Sequence, residues 1–443
     1  MSANPPVDPR AYLRVVGLGA AIGIPAGLLA AGFLALVHQL EKVLWTDLPD
    51  ALGYSSPPWY LVIGLPVAGA LLVVAARRLL PGDGGHAPIK GLATEPTPVA
   101  YGPGVALAAL GTLSFGAVLG PEAPLIALGS VVGMAAARMA KLGQPETVVL
   151  ATAGSFSAIS AIFGGPLVAG VLLMEAGVGL GAALIPALLP GLVAAACGYV
   201  VFIGLGDFAG IQTTTLTVSD LPLYDGTSVP DLLAAVAIGL VTALIILAVR
   251  RLATATDSLG GGRVSMPVLL LAGGLTVGLL ALAADGLGAD SQDVLFSGQA
   301  SLPQLITESS ASVVLVLLAA KALAYAVSLG CGFRGGPVFP AIFLGVAVAT
   351  LGVIWVDLSP TLAVAVGAAA GMAAATHLLL SSVVLATLLV GTVGVDAVPA
   401  AVLAAVTGWL VRTAADRREA ATAEPAGAPA EHQPPLSQPG PSR

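Results

Sequence analysis

One carboxylate in this sequence stands where an acid is costly. Glu122 lies inside Gly120-Pro121-Glu122-Ala123-Pro124, at the head of an apolar run that continues over 124–137. An ionised side chain within an apolar span costs several kcal/mol unless something positive faces it, and such acids mark functional sites. The Gly/Pro turn before the run supplies that positive partner. Proline near a first helical turn removes an amide that would be unpaired anyway, and glycine lets backbone approach a ligand closely. The remaining free N–H groups and the positive end of the helix dipole form an anion site without Lys or Arg. A carboxylate placed there occupies the same kind of site as a permeating anion. Glu122 is therefore expected to act as a tethered competitor that swings away when protonated. The plainer alternative is a helix-start Glu in a polar loop.

A second turn of the same kind lies half a chain away. Gly120 through Gly129 placed over Gly336-Pro337-Val338-Phe339-Pro340-Ala341-Ile342-Phe343-Leu344-Gly345 matches Gly, Pro, Pro, Ile, Leu and Gly, at an offset of 336 − 120 = 216 residues. Upstream, Leu113 and Gly116 fall on Leu329 and Gly332 at that same offset. Duplicated halves with broken helices meeting near the bilayer midplane are a transporter design. The candidate anion ligands are therefore Gly120, Pro121, Glu122 and Ala123 from one copy and Gly336, Pro337, Val338 and Phe339 from the other.

The elements that position these turns belong in lipid. The 443 residues are 57% hydrophobic and 9% charged, with a mean hydropathy of +0.97, far from the quarter or so of charged residues usual in water-soluble domains. Seven apolar segments fall in each half, among them 104–119, 166–174, 232–249 and 338–355. Several are too short to cross ~30 Å of hydrocarbon, so half-helices and re-entrant pieces are expected. The fold class is an all-α polytopic membrane bundle with inverted repeats. Residues 1–10 form a polar N-terminal segment, 11–413 the membrane domain with repeats over about 11–205 and 228–413, and 414–443 a disordered tail rich in Ala, Pro, Glu and Gln. Basic residues are assigned to loops and ends: Arg10 and Arg14; Arg77, Arg78 and Lys90; Arg138 and Lys141; Arg250, Arg251 and Arg263; Arg412, Arg417 and Arg418. By the positive-inside rule both termini of this multi-pass protein face the cytoplasm. Cys197 and Cys331 read as small buried residues, and no cofactor or metal is expected.

These motifs resemble the CLC family of chloride channels and proton-coupled anion antiporters. The family's Gly-x-Glu-Gly-Pro signature is similar to Gly120–Pro124, with Ala123 in place of the second glycine. Gly111-Thr112-Leu113 and Val118-Leu119-Gly120 also match its usual run. Its Gly-x-Phe-x-Pro signature resembles Gly336–Pro340, with Val338 in place of the phenylalanine and Phe339 one position later. Its first signature, Gly-Ser-Gly-Ile-Pro, is approximated by Gly84-Gly85-His86-Ala87-Pro88, which lacks the serine hydroxyl. The resemblance implies that Gly84, Gly85 and His86 also face the anion; His86 itself reads either as a group that titrates near neutrality and tunes the pore or as a loop histidine in water. It further implies a homodimer with one pore per subunit, and no tyrosine near the C-terminal end supplies the family's pore tyrosine. Pro166-Leu167, Ala169-Gly170 and Glu175 are similar to the helix that carries a proton-relay acid in coupled members, but Glu175 precedes that position and Ala176 occupies it. Glu175 is kept as a possible proton path, or as a helix-end carboxylate paired with a base.

The reading is transport of small anions, chloride first, with Glu122 as gate. The alternatives are a proton-coupled antiporter and a cation-coupled solute carrier. An intramembrane enzyme is disfavoured by the lack of a His-Glu-x-x-His motif or a Ser/His pairing, and nothing points to nucleic acid. Lys321 and Arg334 are expected to snorkel to an interface, and His377 to be a packed polar residue.

Overall fold

A computed structural model describes residues 9–92, 95–177, 184–209, 216–260 and 263–423. The first half holds α1 (Pro9–Lys42), a π-helical turn at Val43–Asp47, and α2 (Leu48–Ala51), α3 (Trp59–Leu79), α4 (Gly102–Leu113), α5 (Glu122–Met139), α6 (Gln144–Ile162), α7 (Pro166–Ala176) and α8 (Leu184–Ala209). The second holds α9 (Val229–Gly260), α10 (Met266–Asp285), α11 (Ser291–Val294), α12 (Leu302–Thr307), α13 (Ala311–Gly330), α14 (Val338–Val356), α15 (Pro360–Thr376), α16 (Leu379–Val390) and α17 (Val398–Ala423). Nine helical stretches among the described residues are long and apolar enough to cross a membrane. Helices α4, α7 and α16 have 12, 11 and 12 residues. At 1.5 Å per residue they cover only about half of the hydrocarbon, so they end inside the bundle.

Packing explains the glycine content. Helix α5 lies on α6, and α14 on α15, as equivalent pairs in the two halves. A Cβ on Gly129 would overlap the Gly154 carbonyl, and one on Gly345 would overlap the Gly367 carbonyl, so backbone meets backbone at both crossings. Lipid gives helices no hydrophobic drive to associate, and small residues supply the close van der Waals contact instead. Helix α14 is enclosed from Val338 to Leu351 and α15 from Thr361 to Ala375, which puts this pair at the centre. Leu28, Leu71, Leu244, Leu279 and Leu315 are exposed on α1, α3, α9, α10 and α13, an apolar exterior suited to acyl chains.

Four expectations are corrected. The segment expected over 104–119 stops being helical at Leu113, and residues 114–119 form the irregular approach to the Gly120 turn. Arg250 and Arg251 lie not in a loop but within α9, which runs on to Gly260. Arg77 and Arg78 likewise close α3, and Arg138 closes α5; long basic side chains at helix ends favour the carbonyl pole. Finally, α17 continues to Ala423, so residues 414–423, which composition assigned to the tail, are helical. Residues 1–8 and 424–443 lie outside the described residues, as does the start of the segment expected over 181–203.

Candidate anion site

The two Gly/Pro turns meet. Gly120 N–H donates to the Gly336 carbonyl at 2.8 Å, and Gly336 N–H donates to the Gly120 carbonyl at 2.5 Å, an antiparallel bridge between the repeats. A second reciprocal pair flanks it. Val118 N–H donates to Ser328 Oγ at 3.0 Å, and Arg334 N–H donates to Thr112 Oγ1 at 3.1 Å. Residues 118 and 334 differ by the repeat offset (334 − 118 = 216), and so do 112 and 328 (328 − 112 = 216), so a local two-fold relates all four bonds. The hydroxyls complete backbone donors that have left their helices, which a buried irregular segment requires.

Helices α5 and α14 start from this bridge. Pro124 and Pro340 sit at the third helical position of each and carry no N–H, which leaves the first two amides of either helix as the donors without a partner inside their own helix. Glu122 is fully buried, and its Oε1 accepts the Phe339 N–H at 2.9 Å, with the Val338 and Glu122 amides also turned toward the carboxylate. Oε2 has no hydrogen-bond partner among the described residues. An acid of the first repeat thus caps a helix of the second, leaving one buried oxygen without a partner among the described residues. Close approach is what makes Gly336 necessary here: a Cβ on it would overlap Glu122 Oε2.

Gly84 and Gly85 adopt φ of +71° and +100°, a left-handed turn that glycine takes without strain. Asp83, one residue earlier, is shared by two guanidiniums. Arg77 Nε and Nη2 donate to it at 2.8 and 3.0 Å, and Arg334 Nη2 donates at 2.5 Å while Arg334 Nε reaches the Asp83 carbonyl at 3.1 Å. Arg77 Nη1 also donates to the Gly332 carbonyl at 3.1 Å, so this cluster straps the 82–86 turn to the approach of the second Gly/Pro turn. Arg334 is therefore buried and paired rather than snorkelling. His86 is half-buried with Nε2 enclosed and unpartnered among the described residues, so it is no water-facing loop histidine. Burial, and then the nearby Arg334 and Lys90 charges, hold its pKa below the usual 6.5. Residues just past it face the turn of α14: Pro88, Ile89 and Gly91 line a small cavity with Pro337 and Tyr325, whereas Gly84, Gly85 and His86 do not line it.

Other singled-out residues have defined partners. Glu175, near the end of α7, accepts from the Leu379, Leu380 and Ser381 amides at 2.6, 3.0 and 2.8 Å and from Ser381 Oγ at 2.7 Å. Its partner is the start of α16, not a base. Lys321 does not snorkel either. It is fully buried, donates to the carbonyls of Asp293, Val294 and Leu295 at 2.7, 3.2 and 2.9 Å, and lies 4.4 Å from the Phe343 ring centre. His377 pairs with Asp416 at 2.7 Å, and Asp416 also accepts from Arg412 Nε at 2.8 Å. Sequence reasoning overlooked Tyr325, which is fully enclosed on α13 and donates through its hydroxyl to the Pro337 carbonyl at 2.8 Å. The resemblance places a pore tyrosine near the C-terminal end, whereas Tyr325 precedes the second turn by three helical turns or so.

Against this geometry, residues 69–412 match the family described as voltage-gated chloride channel. The chain belongs to that family. Among curated relatives, YfeO of Escherichia coli O7:K1, a protein named for presumed ion transport, is 27% identical over 344 residues, covering 74% of this chain and 76% of that protein. YfeO of Shigella boydii serotype 4 is 28% identical over 346 residues with the same coverage. The fold is shared with a slow cyanobacterial Cl−/H+ antiporter at a TM-score of 0.74 and 16% identity, covering 94% of this chain and 96% of that one. It is shared also with a CLC-type fluoride/proton antiporter at 0.73 and 19% identity, covering 92% and 98%. Membership in the CLC family makes this chain a multi-pass membrane protein of anion transport and not an enzyme.

Proposed function

We propose that the chain conducts small inorganic anions, chloride first, through the meeting point of α5 and α14, with Glu122 as the gate. The observation that carries this reading is the Glu122 carboxylate seated on the Phe339 amide. An anion passing the turn needs that amide, so the carboxylate and the permeant ion compete for it. Protonation removes the charge that favours the seat, since a hydrogen bond to an ionised acceptor is roughly twice as strong as one to a neutral group. Flux then rises as the pH falls. The site ligands are the amides of Glu122, Ala123, Val338 and Phe339, with Gly120, Pro121, Gly336 and Pro337 shaping the approach. The Gly84-Gly85-His86 turn acts from one layer away, by placing Pro88 to Gly91. Both termini are assigned to the cytoplasm, and the functional unit is a homodimer with one pathway per subunit, as the family resemblance implies.

Flux through reconstituted protein tests the gate. Glu122→Gln flattens the pH dependence between about pH 4 and 8 and holds the rate near the acid value of wild type. An unchanged pH response removes Glu122 from the gate.

A second reading, proton-coupled exchange, is supported by the two antiporters whose fold the chain shares. Uncoupled conduction is preferred because both Glu175 oxygens are saturated by four donors, which suits a fixed cap better than a proton carrier. Reversal potentials in crossed anion and pH gradients separate the two: a value set by the anion gradient alone supports conduction, and a dependence on the pH gradient supports exchange.

A further inference from the structure

Among the described residues, basic side chains at the surface, such as Arg78 and Lys90, are simply exposed, and those in or beside the bundle interior divide sharply by partnership. Arg77 and Arg334 share Asp83, Lys321 is caged by three carbonyls, Arg412 holds Asp416 and the Ala374 carbonyl, and Arg251 pairs with Glu419. Arg250 differs. Its half-buried side chain makes no hydrogen bond or ion pair with another described residue, although Arg412, Asp416, Tyr325 and Glu419 lie within electrostatic reach. The two carboxylates among these neighbours are already engaged, Asp416 by Arg412 and His377 and Glu419 by Arg251. The positive charge is thus left over.

It is also placed over a space. Arg250 lines the cavity of about 10 Å³ that Pro88, Gly91, Tyr325 and Pro337 also line, with Ile246 and Leu329 among its apolar walls. That is room for about one water-sized sphere. Pro337, the residue that precedes α14, lines this cavity, and both Glu122 and Arg250 lie within electrostatic reach of Tyr325. An ionisable group inside a membrane span is rare without a partner and marks an ion path when it faces a cavity. A guanidinium over a low-dielectric wall also concentrates counter-ions at a mouth.

We propose that Arg250 captures the permeant anion at the mouth on the C-terminal side, one step before the Glu122 gate, and sets the apparent affinity from that face. This rests on the anion-conduction reading above. The ligand is a small monovalent inorganic anion, because the cavity is too small for the phosphodiester of a lipid headgroup. The Tyr325 hydroxyl is committed to Pro337, so the guanidinium is the donor left open to an entering ion.

The experiment is chloride flux from proteoliposomes of uniform orientation, with chloride varied on one face at a time. Arg250→Gln raises the half-saturating chloride about three- to tenfold from the α17 end only, with the maximal rate within twofold of wild type; Arg250→Lys restores most of the affinity. An inert electrolyte raises the wild-type value toward that of Arg250→Gln, because salt screens a charge that an entering ion reaches. Equal half-saturation in wild type and Arg250→Gln from both faces overturns the proposal, as does an equal change on both faces. Should Arg250→Gln fail to fold, the electrolyte series on wild type and Arg250→Lys decides in the same way, its absence of effect overturning the proposal. Wild-type protein that moves no anion sinks the underlying reading instead, and a normal Glu122→Gln response beside a silent Arg250→Gln sinks only the capture role.

Discussion

Glu122 and Glu175 are both acids of the first half laid against the start of a helix from the second half, yet they are held in opposite ways. Glu175 satisfies both oxygens with three amides and a hydroxyl at the head of α16. Glu122 takes one amide at the head of α14 within hydrogen-bonding reach of Oε1, and its Oε2 finds no partner among the described residues. The local sequence accounts for the contrast. Helix α16 opens Leu379-Leu380-Ser381, with an N–H at every position and a hydroxyl at the third, whereas α14 opens Val338-Phe339-Pro340 and loses its third donor to proline. A saturated carboxylate is a rivet. One buried with fewer donors is held more loosely, as a carboxylate that an ion displaces must be.

The largest expected effect comes from pressing on the loose acid. Gly336→Ala puts a methyl group where Glu122 Oε2 lies, an overpacking that costs about 1–3 kcal/mol and expels the carboxylate. Folded yield and melting temperature fall, and the double variant with Glu122→Ala recovers most of the loss. A lack of recovery shows that the Gly336 constraint lies elsewhere. Next comes the rivet: Glu175→Gln exchanges an ionised acceptor for a neutral one and weakens the cap by about 1–2 kcal/mol, read as a lower melting temperature. The flux–pH curve of that variant stays on the wild-type curve, and a shift there restores Glu175 as a proton carrier. Smaller still, Thr112→Val and Ser328→Ala each remove one of the reciprocal hydroxyl bonds, at about 1 kcal/mol apiece. Two-fold equivalence requires the losses to agree within about twofold, and a large inequality breaks it.

The smallest effect is the pH response of His86. Its pKa is lowered from 6.5 by burial first and then by the charges of Arg334 and Lys90, so the folded state prefers the neutral ring. That contribution is whole above the unfolded value and is lost as the pH falls through the depressed folded one. The melting temperature of His86→Gln therefore declines less than that of wild type below about pH 6.5. Parallel curves would mean that the ring charges equally well folded and unfolded.

Much of this was legible from residue order alone. The offset of 216 residues between the Gly/Pro turns (336 − 120) foretold two broken helices facing each other, because identical turns in inverted halves are brought to one axis. Glu122 was legible because an acid heading an apolar run has few bland explanations. The partners of Glu175, Arg334 and Lys321 were not. Those of Glu175 and Arg334 come from the opposite half of the chain and those of Lys321 are the carbonyls of Asp293 to Leu295, and backbone groups carry no side-chain signature. The reciprocal hydroxyls Thr112 and Ser328 could have been found, since they occupy matched positions of the repeat, but a polar residue on an apolar helix has many ordinary uses. Arg250 was misplaced because two adjacent arginines look like the end of a span, when α9 in fact runs on past them to Gly260.

The bridge between Gly120 and Gly336 also bears on how such a chain is made. When the ribosome has delivered the first turn to the bilayer, the strand that will accept and donate its bonds is still some two hundred codons from synthesis. Until it arrives, the first half must shelter bare peptide groups against lipid, water or a helper in the insertion machinery. A truncated chain ending before the second turn is therefore an incomplete fold with exposed polar backbone, the kind of substrate that membrane quality control removes.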